Sequence, residues 1–229
     1  MKKWQREVKQ LKGKVVLFGI TYFYDEKTWP ALLEMYIQKE RLKFKDFLPK
    51  RNQIVIDAGA SLGDYTLIYS KLIGKRGKVI TFEPNKKAFN LLLKNIEANK
   101  VSNVIALRMA LWNEEGTISI KEGNFSTLDK ISSEKENTYR VKAITLDSIV
   151  KKLKLKRVDL VKIDVEGAEV QVLKGSLETI RRFHPKIIVE VHEWLGVKSN
   201  EIMQLLKKYG YKLTHEYRIN ENTYELFLE

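Results

Sequence analysis

From residue 52 onward, short runs of β-branched and aliphatic residues alternate with longer stretches whose apolar positions recur every three or four residues. That alternation predicts βαβ units and a mostly parallel sheet. The first unit opens with Ile54-Val55-Ile56-Asp57, an apolar run that ends in an acid. A glycine-bearing turn, Gly59-Ala60-Ser61-Leu62-Gly63, then leads into a helix to about residue 73, closed by Gly74 and Gly77. A second strand over 78–83 ends at Glu83, and Pro84 stops it because proline has no amide hydrogen for the ladder. A helix over 86–99 carries Phe89, Leu92, Leu93 and Ile96 on one face, and a third strand covers 104–109.

Residues 113–139 are rich in Asn, Glu, Ser, Gly and Lys, with strands expected at 117–121 and 139–144. A connection of that length inside a compact domain is usually functional. Thr145-Leu146-Asp147-Ser148 caps a short helix that runs into the basic segment 151–157. A fourth strand over 158–164, a helix over 168–182, a fifth strand over 186–192 and a helix over 199–209 follow. Two closing strands, 211–217 and 223–228, are joined by a turn short enough to force an antiparallel pair. Residues 1–51 break the alternation: 15–22 suits one strand of a hairpin, and 30–48 an amphipathic helix with Leu32, Leu33, Tyr36 and Ile37.

The fold expected is therefore α/β: a mostly parallel sheet with helices on both faces and an antiparallel edge strand. Residues 52–229 form the domain, and 1–51 a small extension packed over it.

Composition narrows the chemistry. The chain has 229 residues, 44% of them hydrophobic, enough for a core, and 42 Lys+Arg against 29 Asp+Glu give 42 − 29 = +13. Cysteine is absent, which excludes disulfides, cysteine metal sites and thiol nucleophiles. The three histidines, His184, His192 and His215, include no pair at helical ligand spacing, so no metal site is expected. No run approaches the ~18 apolar residues of a membrane span, and the basic N-terminus is not followed by an apolar run of signal type, so a cytoplasmic address is expected.

Asp57-Ala58-Gly59-Ala60-Ser61-Leu62-Gly63 has the form D-x-G-x-x-x-G between a strand and a helix. Dinucleotide enzymes space their glycines G-x-G-x-x-G to seat a pyrophosphate at the helix start, and an acid at Asp57 would repel one. A ligand with a cationic group fits better, and a nicotinamide dehydrogenase is disfavoured. Glu83, ending the next strand, stands where a carboxylate can accept two hydrogen bonds from a ribose diol. Together they indicate a nucleoside without phosphates.

With these residues the sequence resembles the Rossmann-like S-adenosylmethionine-dependent methyltransferases, which implies that the sheet is Rossmann-like and seven-stranded. Lys162-Ile163-Asp164-Val165-Glu166-Gly167-Ala168-Glu169, with Val55-Ile56-Asp57-Ala58-Gly59-Ala60, Thr145-Leu146-Asp147 and Ile188-Val189-Glu190-Val191-His192, is similar more narrowly to the FkbM family. The resemblance implies S-adenosylmethionine as cofactor, with S-adenosylhomocysteine as product. Asp57, Gly59, Ala60, Gly63 and Tyr65 would shape the methionine end, with Ser61 where the family often has Asn. Glu83 would hold the ribose, with Pro84 and Asn85 near the adenine, and Ala110 and Leu111 would line the adenine pocket.

Period-two alternation puts Lys162 and Asp164 on one side of their strand, where two charges among apolar residues are either an ion pair or functional. In the functional reading Asp164 borders both sulfonium and acceptor, with Lys162 orienting it. Methyl transfer to a hydroxyl needs somewhere for the proton to go, so His192 leads as base, Asp164 follows, and Glu166 lies close by. No Asn or Asp followed by Pro-Pro and an aromatic residue comes after the fourth strand, which disfavours nucleobase amino groups. A hydroxyl on a sugar, glycolipid or small metabolite is the expected acceptor. The +13 charge keeps two alternatives open, an RNA methyltransferase and a non-catalytic nucleic-acid-binding scaffold.

Overall fold

The computed structural model describes residues 13–17, 19–24, 44–121, 130–131 and 138–229. The expected helix over 30–48 falls largely outside the described residues; the part inside is a single 3-10 turn, Lys45–Phe47.

Seven strands form the main sheet: β3 (Ile54–Ala58), β4 (Lys78–Phe82), β5 (Val104–Leu107), β10 (Leu160–Ile163), β11 (Lys186–His192), β12 (Leu213–Asn220) and β13 (Thr223–Leu228). Their order is β12-β13-β11-β10-β3-β4-β5. The four pairings that join β11, β10, β3, β4 and β5 are parallel, whereas β13 runs antiparallel to both β11 and β12. The antiparallel strand therefore sits one place in from the edge, and β12 is the edge strand, running with the other five. Burial explains the swap: every residue of β13 is buried, while β12 alternates between exposed and half-buried positions.

Helices cover both faces. Helix α1 (Asp64–Ile73) and helix α2 (Lys86–Ala98) pack on one side with Leu67, Ile68, Leu91 and Ile96 against Val55, Val79, Leu160 and Ile188. On the other side lie α3 (Leu146–Lys152), α4 (Glu169–Lys174), α5 (Leu177–Phe183) and α6 (Ser199–Lys207), which place Ile149, Leu173, Ile180 and Leu206 against Ile56, Ile80, Val161 and Val189. Caps set the helix starts: Asn85 accepts from the Lys87 and Ala88 amides, and Thr145 from that of Ser148.

The helix expected over 168–182 is two helices. A Cβ on Gly175 would lie 2.0 Å from the Trp112 carbonyl oxygen, so the chain passes too close to that backbone for a side chain. Asp147 then restarts the helix, accepting from the Glu178 and Thr179 amides and the Thr179 hydroxyl at 3.0, 2.7 and 2.6 Å.

The connection over 113–139 folds into a second sheet of order β6-β9-β7-β8, built from β6 (Ala110–Leu111), β7 (Gly116–Lys121), β8 (Lys130–Ile131) and β9 (Thr138–Ile144). Before the main sheet, β1 (Gly13–Leu17) and β2 (Ile20–Tyr24) form a hairpin, so the segment expected as one strand contains its turn. Asn95 on α2 and Asn99 at its C-cap close the free edge of β2 by bonding the amides and carbonyls of Phe23 and Thr21.

Candidate active site

The turn after β3 is fixed by its contact with the end of β10. Gly59 has φ +85°, and a Cβ there would sit 1.7 Å from the Asp164 carbonyl oxygen. Only glycine lets these two strand ends touch. The Gly59 and Ala60 amides both donate to the Phe82 carbonyl at 3.0 Å, which ties the turn to β4 as well. At the far end of the turn Gly63, at φ +93°, packs over Leu92.

Glu83 is the post around which the turn is wound. Its two oxygens accept from the Ser61 amide at 2.7 Å and the Asn85 amide at 2.8 Å. Each carboxylate oxygen has a second lone pair, so the ribose role expected of Glu83 is compatible with these bonds. Asn85 spends its side-chain oxygen on capping α2. Ala110 and Leu111 are buried in β6, Ala110 against Ile120 and Val141, Leu111 in the main core.

Two polar atoms at this turn are buried without a hydrogen-bond partner, Asp57 Oδ1 and Ser61 Oγ. Asp57 uses its other oxygen to accept from Thr66 at 2.5 Å. Burial raises its pKa; Lys162 and the Thr66 bond oppose that rise, and Asp164 adds to it. Ser61 stands at φ +48°, a region where Asn is the best-tolerated side chain after glycine. A polar group with a positive charge, brought to this turn, would satisfy both atoms. The residues therefore fit the methionine end of S-adenosylmethionine.

Beyond Asp164 the site becomes a row of charges. Lys162 is 2% exposed, and its Nζ lies 2.9 Å from Asp164 Oδ2 and 4.6 Å from the centre of the Tyr65 ring. Burial pulls its pKa down, but Asp164, Asp57 and Glu190 outweigh that and hold it well above the usual lysine value. The ion pair expected as one reading of Lys162 and Asp164 is present, between those two residues themselves.

His192 ends β11, and its Nδ1 lies 2.9 Å from Glu169 Oε1. Its Nε2 faces Glu166 Oε2 at 3.5 Å, Glu190 Oε1 at 3.7 Å and Asp164 Oδ1 at 3.9 Å. Burial alone would lower its pKa; the Glu169 bond and the charges of Asp164, Glu166 and Glu190 raise it to about 10. The ring expected to lead as base therefore sits among carboxylates that favour its protonated form. The other two histidines serve packing: His184 stacks on Tyr211 at 4.4 Å, and His215 on Phe44 at 4.6 Å.

Glu169, fully buried, and Glu225, opposite Glu190 in the β11–β13 register, are the site residues that sequence reasoning missed. Glu169 stands in the quoted motif but reads as an ordinary helix start. Glu225 alternates correctly for an inward position, and only the strand pairing brings it to Glu190. One donor atom each from Asp164, Glu190 and His192 lies within 4.8 Å of the others. Helical spacing could not reveal that trio, because two adjacent strands supply it.

A seven-stranded sheet of this order, with a glycine turn after its central strand and acids at the next strand ends, defines a Rossmann-like methyltransferase fold. The methyltransferase FkbM domain model matches residues 57–213, and the chain belongs to that family. It is 30% identical over 201 residues to methyltransferase sdnD of Sordaria araneosa, covering 72% of this chain and 76% of the relative. To the hexuronic acid methyltransferase AglP of Haloferax volcanii it is 28% identical over 159 residues, 69% of this chain and 63% of the relative. Among solved structures, methyltransferase FkbM from Methylobacillus flagellatus superposes with a TM-score of 0.54 at 16% identity, over 89% of this chain and 54% of the other.

Proposed function

We propose that this protein transfers a methyl group from S-adenosylmethionine to a hydroxyl of a sugar, glycan or other small metabolite. The observation that carries the reading is the junction at Asp164. Its backbone is pressed against the glycine turn, and its carboxylate lies between Lys162 and His192. One residue thus borders both a cofactor half, from Asp57 to Glu83, and an acceptor half, from Asp164 to His192.

When bound, the cofactor supplies a sulfonium methyl group open to in-line attack. The chain's own part is to hold and to take up a proton. Gly59, Ala60, Ser61 and Gly63 hold the methionine end with Asp57, Tyr65 packs beneath Lys162, and Glu83 takes the ribose hydroxyls beside Pro84 and Asn85, with Ala110 and Leu111 on the adenine side. Lys162 fixes the Asp164 carboxylate. The proton that an acceptor hydroxyl gives up would pass to the Asp164 carboxylate, with Glu166 close by.

A sugar acceptor draws support from two sides. Trp194, 47% exposed, presents its ring at 6.4 Å from that of His192, where it can cover the apolar face of a pyranose. The similarity to AglP points the same way. The +13 charge favours RNA less, because the basic run 151–157 leads into the amino end of β10, opposite the carboxyl ends where the site lies. In this reading 52–229 is the methyltransferase domain and 1–51 covers the acceptor side.

The test is transfer of radiolabelled methyl from S-adenosylmethionine to glycans rich in uronic acid and, in parallel, to total tRNA. Label entering glycan and not tRNA is expected. Label in tRNA alone would overturn the acceptor class, and label in neither, with no binding of the cofactor, would overturn the activity.

A further inference from the structure

We propose that the amino edge of the main sheet is a docking surface for an anionic phospholipid leaflet. The connections that lead into the parallel strands gather at this edge: 74–77 before β4, 99–103 before β5 and 153–159 before β10. Lys75 and Arg76 stand exposed on the first, Lys100 on the second, and Lys154, Lys156 and Arg157 on the third. Arg157 pairs with Asp159, but the other five form no ion pair with an acid among the described residues. Asp57, Glu83, Asp164 and Glu190 lie at the opposite, carboxyl edge. The charge of the domain is thus divided between the two ends of its strands.

Cations alone would not single this edge out. Helices α1, α2 and α3 end here, and the carboxyl end of a helix favours positive side chains whatever else the surface does. The second observation is apolar. Leu72 in the last turn of α1, Leu153 at the C-cap of α3 and Leu213 at the start of β12 are 38%, 37% and 42% exposed. A helix end gains nothing from a protruding leucine. Single exposed leucines are ordinary on a protein surface, but these three share one edge, and each directly follows an exposed lysine: Lys71, Lys152 and Lys212.

Charge interspersed with aliphatic side chains suits a leaflet. Phosphate headgroups take the cations, and the leucines enter the boundary with the acyl chains. A nucleic acid fits this edge less well, because single strands are held by aromatic rings that stack on bases. The exposed aromatic residue among those described, Trp194, follows β11 at the carboxyl edge. With the amino edge against a leaflet, the glycine turn and Asp164 face water, from which the cofactor and a dissolved acceptor arrive. That last step rests on the methyl-transfer reading, but the docking surface does not.

The experiment is co-sedimentation of the full chain with phosphatidylcholine vesicles, either pure or with one third phosphatidylglycerol, alongside a gel shift with total tRNA. Binding to the anionic vesicles and not to the neutral ones is expected, falling at least 10-fold between about 0.1 and about 0.5 M salt. Each cation near the headgroups strengthens binding about fivefold, so Lys75→Gln with Arg76→Gln should weaken it roughly 10- to 30-fold. Leu72→Ser with Leu153→Ser should weaken vesicle binding about fivefold or more and leave any tRNA binding unchanged. Arg140→Gln with Lys142→Gln removes the same charge from exposed positions of β9, and should change vesicle binding less than twofold. Circular dichroism confirms that each variant is folded.

Equal binding to both kinds of vesicle, binding to neither, or a loss as large from the β9 variant as from the Lys75 and Arg76 variant would overturn the surface. Vesicle binding indifferent to the leucine changes would overturn it as well, and tRNA binding that follows the Lys75 and Arg76 changes would then assign the edge to nucleic acid. Calorimetry with S-adenosylhomocysteine keeps the two readings apart. Cofactor binding without vesicle binding leaves the methyltransferase and removes the docking surface, and vesicle binding without cofactor binding does the reverse.

Discussion

The two faces of the main sheet are built from the same strands and do opposite work. On one face Ile56, Ile80, Val161, Ile163, Ile187, Val189, Val191 and Leu226 are apolar from end to end. On the other, the three adjacent strands β3, β10 and β11 start apolar and end ionisable: Val55 then Asp57, Leu160 then Lys162, Ile188 then Glu190 and His192. In the antiparallel β13 the order reverses, with Glu225 ahead of Phe227, so that like still meets like across the sheet. The difference teaches where an α/β sheet can carry charge. The charges gather at the carboxyl ends, where open α/β sheets bind their ligands, and the start of α1 supports them there through Thr66 on Asp57 and Tyr65 beneath Lys162.

The largest effect should come from removing the cation that this charged face depends on. Lys162→Met leaves Asp57 and Asp164 without their lysine, and breaking such a buried pair costs about 3–5 kcal/mol of stability, read by chemical denaturation. A loss below about 1 kcal/mol would mean that the row is better hydrated than its burial indicates. Ile163→Ala, one residue along but on the apolar face, should cost about 2–4 kcal/mol through its cavity while leaving affinity for S-adenosylhomocysteine within twofold. If affinity fell as steeply as stability, the two faces would not be separable.

A smaller effect depends on pH. Asp64, at the start of α1, has its carboxyl pushed up to about 6 by burial, against the pull of Lys162 and helped by Asp57 and Asp164. Its folded pKa lies above the unfolded one, so it contributes stability below about pH 4 and loses it as pH rises to about 6. Asp64→Asn should therefore gain about 1–2 kcal/mol at pH 7.5 and nothing at pH 4, a pattern that thermal melts at the two values would show. The smallest change is Ser61→Asn, which places a residue tolerant of positive φ at +48° and should gain about 0.5 kcal/mol or less.

Much of this was legible in the sequence where a local rule decides the outcome. The β11 span, residues 186–192, and the β13 span, 223–228, stand as expected, because proline or a tight turn bounds them. Asp57, Gly59, Glu83, Lys162 and Asp164 could be singled out because each follows an apolar run at a fixed offset. What was not legible depends on pairing between distant strands. The place of β13 inside the sheet, the break at Gly175 against Trp112 and the meeting of Glu190 with Glu225 are all set by partners far away in the chain. His192 was found by type, but the carboxylates that surround it, Asp164, Glu166, Glu169 and Glu190, come mostly from other segments.

The central claim is that the charged face, beginning at the glycine turn, holds S-adenosylmethionine. Its most direct test is calorimetric titration of S-adenosylhomocysteine into the wild type and into Glu83→Ala, with the variant's fold verified by circular dichroism. The account predicts micromolar binding to the wild type and a loss of about 2–3 kcal/mol in the variant, roughly 30- to 150-fold, as charge-assisted bonds to the ribose and the turn's anchor disappear together. Equal affinity in the two proteins, or none in the wild type, would contradict it.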